Sequence, residues 1–110
     1  MSNAETSPAS VNVPNSYDAT PYPSGAFPQS HPNRVAAMAR LFGVETALPS
    51  RARILELGSA DGANLLPMAE QLPGSTFLGI DASKVQVDAG QRAITESGLK
   101  NVELRLQNIL

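Results

Sequence analysis

The 110-residue chain contains no cysteine, so disulfides, thiolate metal sites and thiol catalysis are excluded. Its single histidine, His31, cannot assemble a metal cluster, and no metal site is expected. Positive charge is scarce: 8 Lys and Arg stand against 10 Asp and Glu, giving a net charge of −2 and no electrostatic basis for binding nucleic acid. No apolar run approaches the roughly 20 residues of a membrane span. No charged start leads into an apolar signal segment either. A cytoplasmic protein without a membrane partner is the expectation. The length allows one small domain with a thin core.

Residues 1–30 hold little that could fold regularly. Six of the nine prolines precede Asn33, and Glu5 and Asp18 are the only charges in the segment. It reads as a disordered or extended N-terminal arm, with Tyr17, Tyr22 and Phe27 as anchors. A helix then starts at Ser30-His31-Pro32, proline being tolerated in a first turn. Val35, Met38, Ala39 and Phe42 make one apolar face, and Gly43 is the stop. His31 reads as a cap or contact residue rather than a catalyst.

The stretch Arg53-Ile-Leu-Glu-Leu-Gly-Ser-Ala-Asp-Gly-Ala-Asn64 organises the rest. Ile54, Leu55 and Leu57 form a short apolar run, the pattern of a strand buried on both faces. Glycine follows at once, and an apolar helix is expected over 64–72, with Asp61 as a candidate cap and Pro67 in its early part. A strand running through glycine into a helix is a nucleotide-binding corner, because the backbone can be approached closely and a helix start presents free N–H groups. The spacing is Glu56-x-Gly58-x-x-x-Gly62. It is not the G-x-G-x-x-G of dinucleotide folds, since Ala60 stands where the second glycine belongs.

A second strand, Thr76–Ile80, ends in Asp81. The next helix, 84–97, has Ser83 as cap and Gly98 as stop. Its stripe is Val85, Ala89 and Ala93, widened by Ile94, and Gly90 predicts close packing on the sheet. Over Val102–Leu106 apolar residues alternate with Glu103 and Arg105, which suits an edge strand. Strands one and two should then be interior. The fold class is α/β: the N-terminal half of a Rossmann-like, doubly wound parallel sheet in the order 3-2-1, with a preceding helix.

Glu56-x-Gly58-x-x-x-Gly62 with Asp81 at the end of the second strand resembles motif I and its partner acid in class I S-adenosylmethionine-dependent methyltransferases. His31-Pro-x-Arg34, Asn64-Leu-x-Pro-Met-Ala69, Gly79-Ile-Asp-x-Ser83 and Gln86 are similar to one subgroup, the bacterial methyltransferases with a methyltransferase regulatory domain, related to protein lysine methyltransferases. The resemblance covers about residues 31–110. It implies S-adenosylmethionine as cofactor. Glu56 would place the methionine amino group, Gly58 and Gly62 would admit the ligand to the backbone, and Asp81 would accept from the ribose hydroxyls. Asn108 stands where the family has an acid facing the adenine amino group. Ser59, Ala60, Asn64, Ala82 and Ile109 belong to the same implied site, and Tyr22 and His31 are candidates for a flap over the methionine end. The arm is thus either a surface-packed extension or that flap.

No residue is identified as a catalytic base, and the acceptor is unidentified, a protein lysine being one candidate. Sheets of this class continue through further strands. Residues 31–110 therefore read as a partial domain truncated after strand three, inactive alone and able to self-associate through its open edge. Its expected partners are the cofactor and the remainder of the domain. Two other readings stay open: the NAD-binding half of an oxidoreductase, and a non-catalytic methyltransferase-like interaction module.

Overall fold

The computed structural model describes residues 25–108. Tyr17, Tyr22 and Ile109 lie outside them. A 3₁₀ turn at Pro28–Ser30 leads into helix α1, Pro32–Leu41. His31 caps it with its own ring, Nδ1 accepting from the Asn33 backbone N–H at 3.1 Å. A second 3₁₀ turn, Pro49–Arg51, precedes strand β1, Arg53–Leu57. Helix α2 (Leu65–Gln71), strand β2 (Thr76–Asp81), helix α3 (Lys84–Ser97) and strand β3 (Val102–Leu106) follow.

The three strands form one parallel sheet in the order β1-β2-β3, with β2 in the middle. Register sets the faces. Ile54, Phe77 and Val102 lie side by side, as do Glu56, Gly79 and Leu104. Both helices cover this face, and the core is Leu65, Met68 and Ala69 of α2, Val87 of α3, and Phe77, Val102 and Leu104 of the sheet. Gly90 is where α3 comes closest. A Cβ there would lie 2.6 Å from the Asp61 carbonyl oxygen and would collide with the Leu104 side chain. Only glycine lets the helix, the loop after β1 and β3 meet at that point.

Three expectations need correction. The buried stripe of α3 runs through Val87 and Gly90 towards Ile94, and Val85 is exposed, because the contact is centred on the close approach at Gly90. Asp61 does not cap α2; its Oδ1 accepts from the Ala63 N–H at 3.2 Å in a local turn, and Asn64 holds the N-cap position. Finally, β1 is not buried on both faces. Leu55 and Leu57 are 58% and 56% exposed on the face away from the helices, because no described element packs there. The same face carries Glu103 and Arg105 of β3, paired at 2.7 Å; that hydrogen bond from Arg105 holds the Glu103 carboxyl below its ordinary value.

Among the described residues, no helix is long and apolar enough to cross a membrane.

Candidate functional site

The chain leaves β1 in a loop whose backbone is fixed before any side chain acts. Gly58 and Ser59 both donate their N–H groups to the Ile80 carbonyl, at 2.8 and 3.0 Å, extending the parallel ladder past the end of the strand. The backbone then turns through left-handed conformations at alternate positions: Gly58 at φ 73°, Ala60 at φ 52° and Gly62 at φ 82°. Glycine adopts these without penalty; alanine costs about 1–2 kcal/mol there. Ala60 therefore fills a glycine's conformational role with a methyl group. Nothing lies within 4 Å of where a Gly58 Cβ would stand, so the backbone there is open to a ligand.

Asp81 holds the loop to the rest of the strand ends. Its Oδ2 accepts from the Ala60 N–H at 2.9 Å, and its Oδ1 accepts from the Ser83 N–H at 2.9 Å. Its carbonyl accepts from the Gln107 N–H just past β3. A carboxylate offers about four lone-pair positions, so each oxygen retains one for an incoming hydroxyl. The half-buried carboxylate is thus positioned by the protein without being used up.

Glu56 lies beneath the loop on the helix-facing side of β1. Its Oε2 accepts from Asn64 Nδ2 at 2.7 Å. Its Oε1 is buried and has no partner. An unpaired buried carboxylate oxygen is costly and calls for a cation or a hydrogen-bond donor. Ser59 Oγ is also buried without a partner, but it points inward: a Cβ on Gly79 would be 2.5 Å from it. With its N–H bonded to Ile80 and its carbonyl to the Gly62 N–H, Ser59 serves the loop's own shape.

Asn64 is the junction between this site and the segment before α1. The residue is 6% exposed. Its Oδ1 accepts from the Phe27 backbone N–H at 2.7 Å, and its Nδ2 donates to Ser30 Oγ at 3.0 Å as well as to Glu56. His31 approaches the same region, its Nε2 lying 2.9 Å from Gln71 Oε1 at the end of α2. An open groove of about 440 Å³ lies between arm and helix, lined by residues including Phe27, His31, Arg34, Asn64 and Gln71.

The structure thus brings together Glu56, Gly58, Ala60, Gly62, Asn64 and Asp81. Ala82 follows directly on β2, and Asn108 is exposed two positions beyond β3. Phe27 and Ser30, which hold Asn64, were not legible as site neighbours, because they lie 37 and 34 positions from it. Among the described residues no group of His, Asp and Glu is arranged to hold a metal ion.

A family model described as a methyltransferase domain matches residues 48–110. The chain is 39% identical over 95 residues to an uncharacterized protein of Rickettsia prowazekii (strain Madrid E), spanning 86% of this chain and 38% of that one. It is similar to the structure of PKMT2 from Rickettsia typhi in complex with AdoHcy, with a TM-score of 0.76 and 37% identity, over 81% of this chain and 17% of that one. It also resembles the N-terminal domain of EvdMO1 with SAH bound, at a TM-score of 0.52 and 32% identity, over 73% of this chain and 31% of that one. Against each of these relatives the chain spans less than half of their length. The family match covers more than half of the chain and takes in the glycine loop, Glu56 and Asp81: the chain belongs to the methyltransferase-domain family.

Proposed function

We propose that this chain supplies the donor-binding part of an S-adenosylmethionine-dependent methyltransferase. The observation that carries the reading is the buried, unpartnered Glu56 Oε1 beside an open, left-handed glycine loop. It suits the ammonium group of an amino-acid tail and would repel a pyrophosphate. The two related structures bound to AdoHcy or SAH support the same ligand class.

Each residue then has a task. Glu56 holds the ammonium group. The Gly58–Gly62 backbone lets the ligand approach, and Asp81 accepts from the two ribose hydroxyls with the lone pairs that Ala60 and Ser83 leave open. Asn108 can offer a carbonyl to the adenine amino group. The flap role of His31 is not supported by its contacts, which cap α1 and reach Gln71. When bound, S-adenosylmethionine supplies an activated methyl group, so the protein's contribution is to fix the donor in line with an acceptor.

The acceptor belongs to the whole protein, and a protein lysine is the class that the subgroup resemblance favours. The exposed Leu55 and Leu57 face supports burial against further parts of the same domain, or against a second copy of the chain when those are lacking. A cytoplasmic location goes with this reading.

Calorimetric titration of the full-length protein with S-adenosylmethionine and with NADH tests it. Binding of the first and not the second is expected. Comparable affinities would move the reading to the NAD-binding alternative. Cofactor binding without methyl transfer to any acceptor would favour a non-catalytic module, and transfer to an acceptor other than lysine would replace the lysine assignment.

A further inference from the structure

The geometry points to Asn64 as a positioning residue that joins the Phe27–Ser30 arm to cofactor recognition, acting through Glu56 rather than on the ligand itself. This rests on the cofactor reading above.

A primary amide has two N–H donors and one carbonyl acceptor. In Asn64 both kinds of group are committed. One nitrogen serves the Glu56 carboxylate at 2.7 Å and the Ser30 hydroxyl at 3.0 Å, and the oxygen takes the Phe27 N–H at 2.7 Å. These partners also fix the amide's orientation, because a carboxylate can only accept and a backbone N–H can only donate. Both donors are thus taken up by the chain. The Ser30 hydroxyl in turn donates to the Phe27 carbonyl at 2.8 Å, closing the arm into a small ring of hydrogen bonds around the amide.

On Glu56 this has a directional effect. Asn64 occupies Oε2, so the carboxylate is held with Oε1 as its one buried, unpartnered oxygen. Linked hydrogen bonds polarise one another in a poorly solvated site. A cation on Oε1 and the arm on Asn64 therefore share one joint: holding the arm preorganises the carboxylate, and occupying the carboxylate steadies the arm. Phe27 and Ser30 are exposed and bring no buried side chain of their own, which leaves the Asn64 amide as a principal tie between the arm and the loop.

Two ligands separate this role from a merely structural one. S-adenosylhomocysteine carries the amino-acid tail; 5′-methylthioadenosine has the same adenosine and thioether without it. In the full-length protein, Asn64→Ala should weaken S-adenosylhomocysteine by about tenfold or more, the range for a lost hydrogen bond to a charged group. Binding of 5′-methylthioadenosine should change by less than about twofold on the same grounds. Combined with Glu56→Gln, Asn64→Ala should add no further loss, as expected for residues acting in series. Hydrogen exchange at the Phe27 amide should slow on adding S-adenosylhomocysteine to the wild type and not to the variant. Should Asn64→Ala disturb folding, Ser30→Ala, on an exposed residue outside the loop, should show the same ligand selectivity at smaller amplitude. Equal losses for both ligands, or no loss for either, overturn the inference while leaving the cofactor reading in place. A wild type that binds neither ligand overturns the cofactor reading itself.

Discussion

At the amino-terminal ends of the strands, buried polar side chains are satisfied by the chain. Ser75 Oγ donates to the Pro49 carbonyl and accepts from the Ala52 N–H, and it is among the most deeply buried side chains described. Asn101 Nδ2 reaches the carbonyls of Ala69, Leu72 and Ser75 at 2.9–3.1 Å, tying the end of α2 to the starts of β2 and β3. At the carboxyl ends two carboxylates are left incomplete. Glu56 Oε1 has no partner, and Asp81 keeps lone pairs in reserve. Hydrogen-bond saturation marks a structural hub, and a buried deficit beside an open backbone marks the side that meets a ligand. Burial alone does not make the difference, since Asn64, buried at the carboxyl ends, is committed to the chain as Ser75 is.

Substitutions at the two ends should have different consequences. Asn101→Ala, which strips a donor from three carbonyls, should cost about 3 kcal/mol of stability, read from denaturant midpoints in the full-length protein. Its effect on cofactor affinity measured on the folded fraction should be negligible. Asp81→Ala should weaken S-adenosylmethionine by about 1.5–3 kcal/mol, and it should cost some stability as well, because the Ala60 and Ser83 N–H groups lose their acceptor. Unchanged affinity by calorimetry would remove Asp81 from the site. Glu56→Gln sharpens the contrast further. Without ligand it should leave the unfolding midpoint level or raise it, because the buried carboxylate lacks a partner for one oxygen, yet cofactor affinity should fall. A clear loss of stability would make Glu56 a structural residue like Asn101.

Ala60→Gly should stabilise the unliganded protein by up to about 1 kcal/mol by relieving its left-handed backbone, less the added entropy of the unfolded chain. The smallest effect belongs to the Glu103–Arg105 pair, far exposed on β3. Arg105 lowers the folded-state Glu103 pKa, so the pair's slight stabilisation is present above the ordinary carboxylate range and is lost as pH falls through the lowered value. Wild type and Arg105→Ala should differ marginally at neutral pH, and the difference should vanish in acid or high salt.

Much of this was legible in the sequence, because the signals were local. Gly98 ends α3 in a left-handed turn at φ 75°, Ser83 caps its start, and the apolar runs ending at Leu57 and Asp81 became adjacent parallel strands. Local signals failed where a side chain's partner is remote. Nothing near Asn64 announces Phe27, whose N–H its amide oxygen accepts while its nitrogen donates to Glu56. Ala60 was legible only by spacing between two glycines, since residue type argues against φ 52°. The exposed Leu55 and Leu57 could not be foreseen from their own apolarity, because covering a sheet face depends on which elements pack against it.

The Asn101 amide also carries a consequence for synthesis. Ser75 and Asn101 are 26 positions apart, so the carbonyls that this amide joins must wait for residue 101 to be made. At about 5–20 residues per second, translation leaves that corner open for roughly 1–5 s. Until residue 101 follows, the turn between α2 and β2 has only its bonds to earlier residues, such as the Ser75 N–H to the Leu72 carbonyl and the Ser75 hydroxyl to the Pro49 carbonyl. Closure of this corner therefore waits on the arrival of residue 101, and a pause in elongation after residue 75 has emerged and before residue 101 has would lengthen the stage at which it stands solvated.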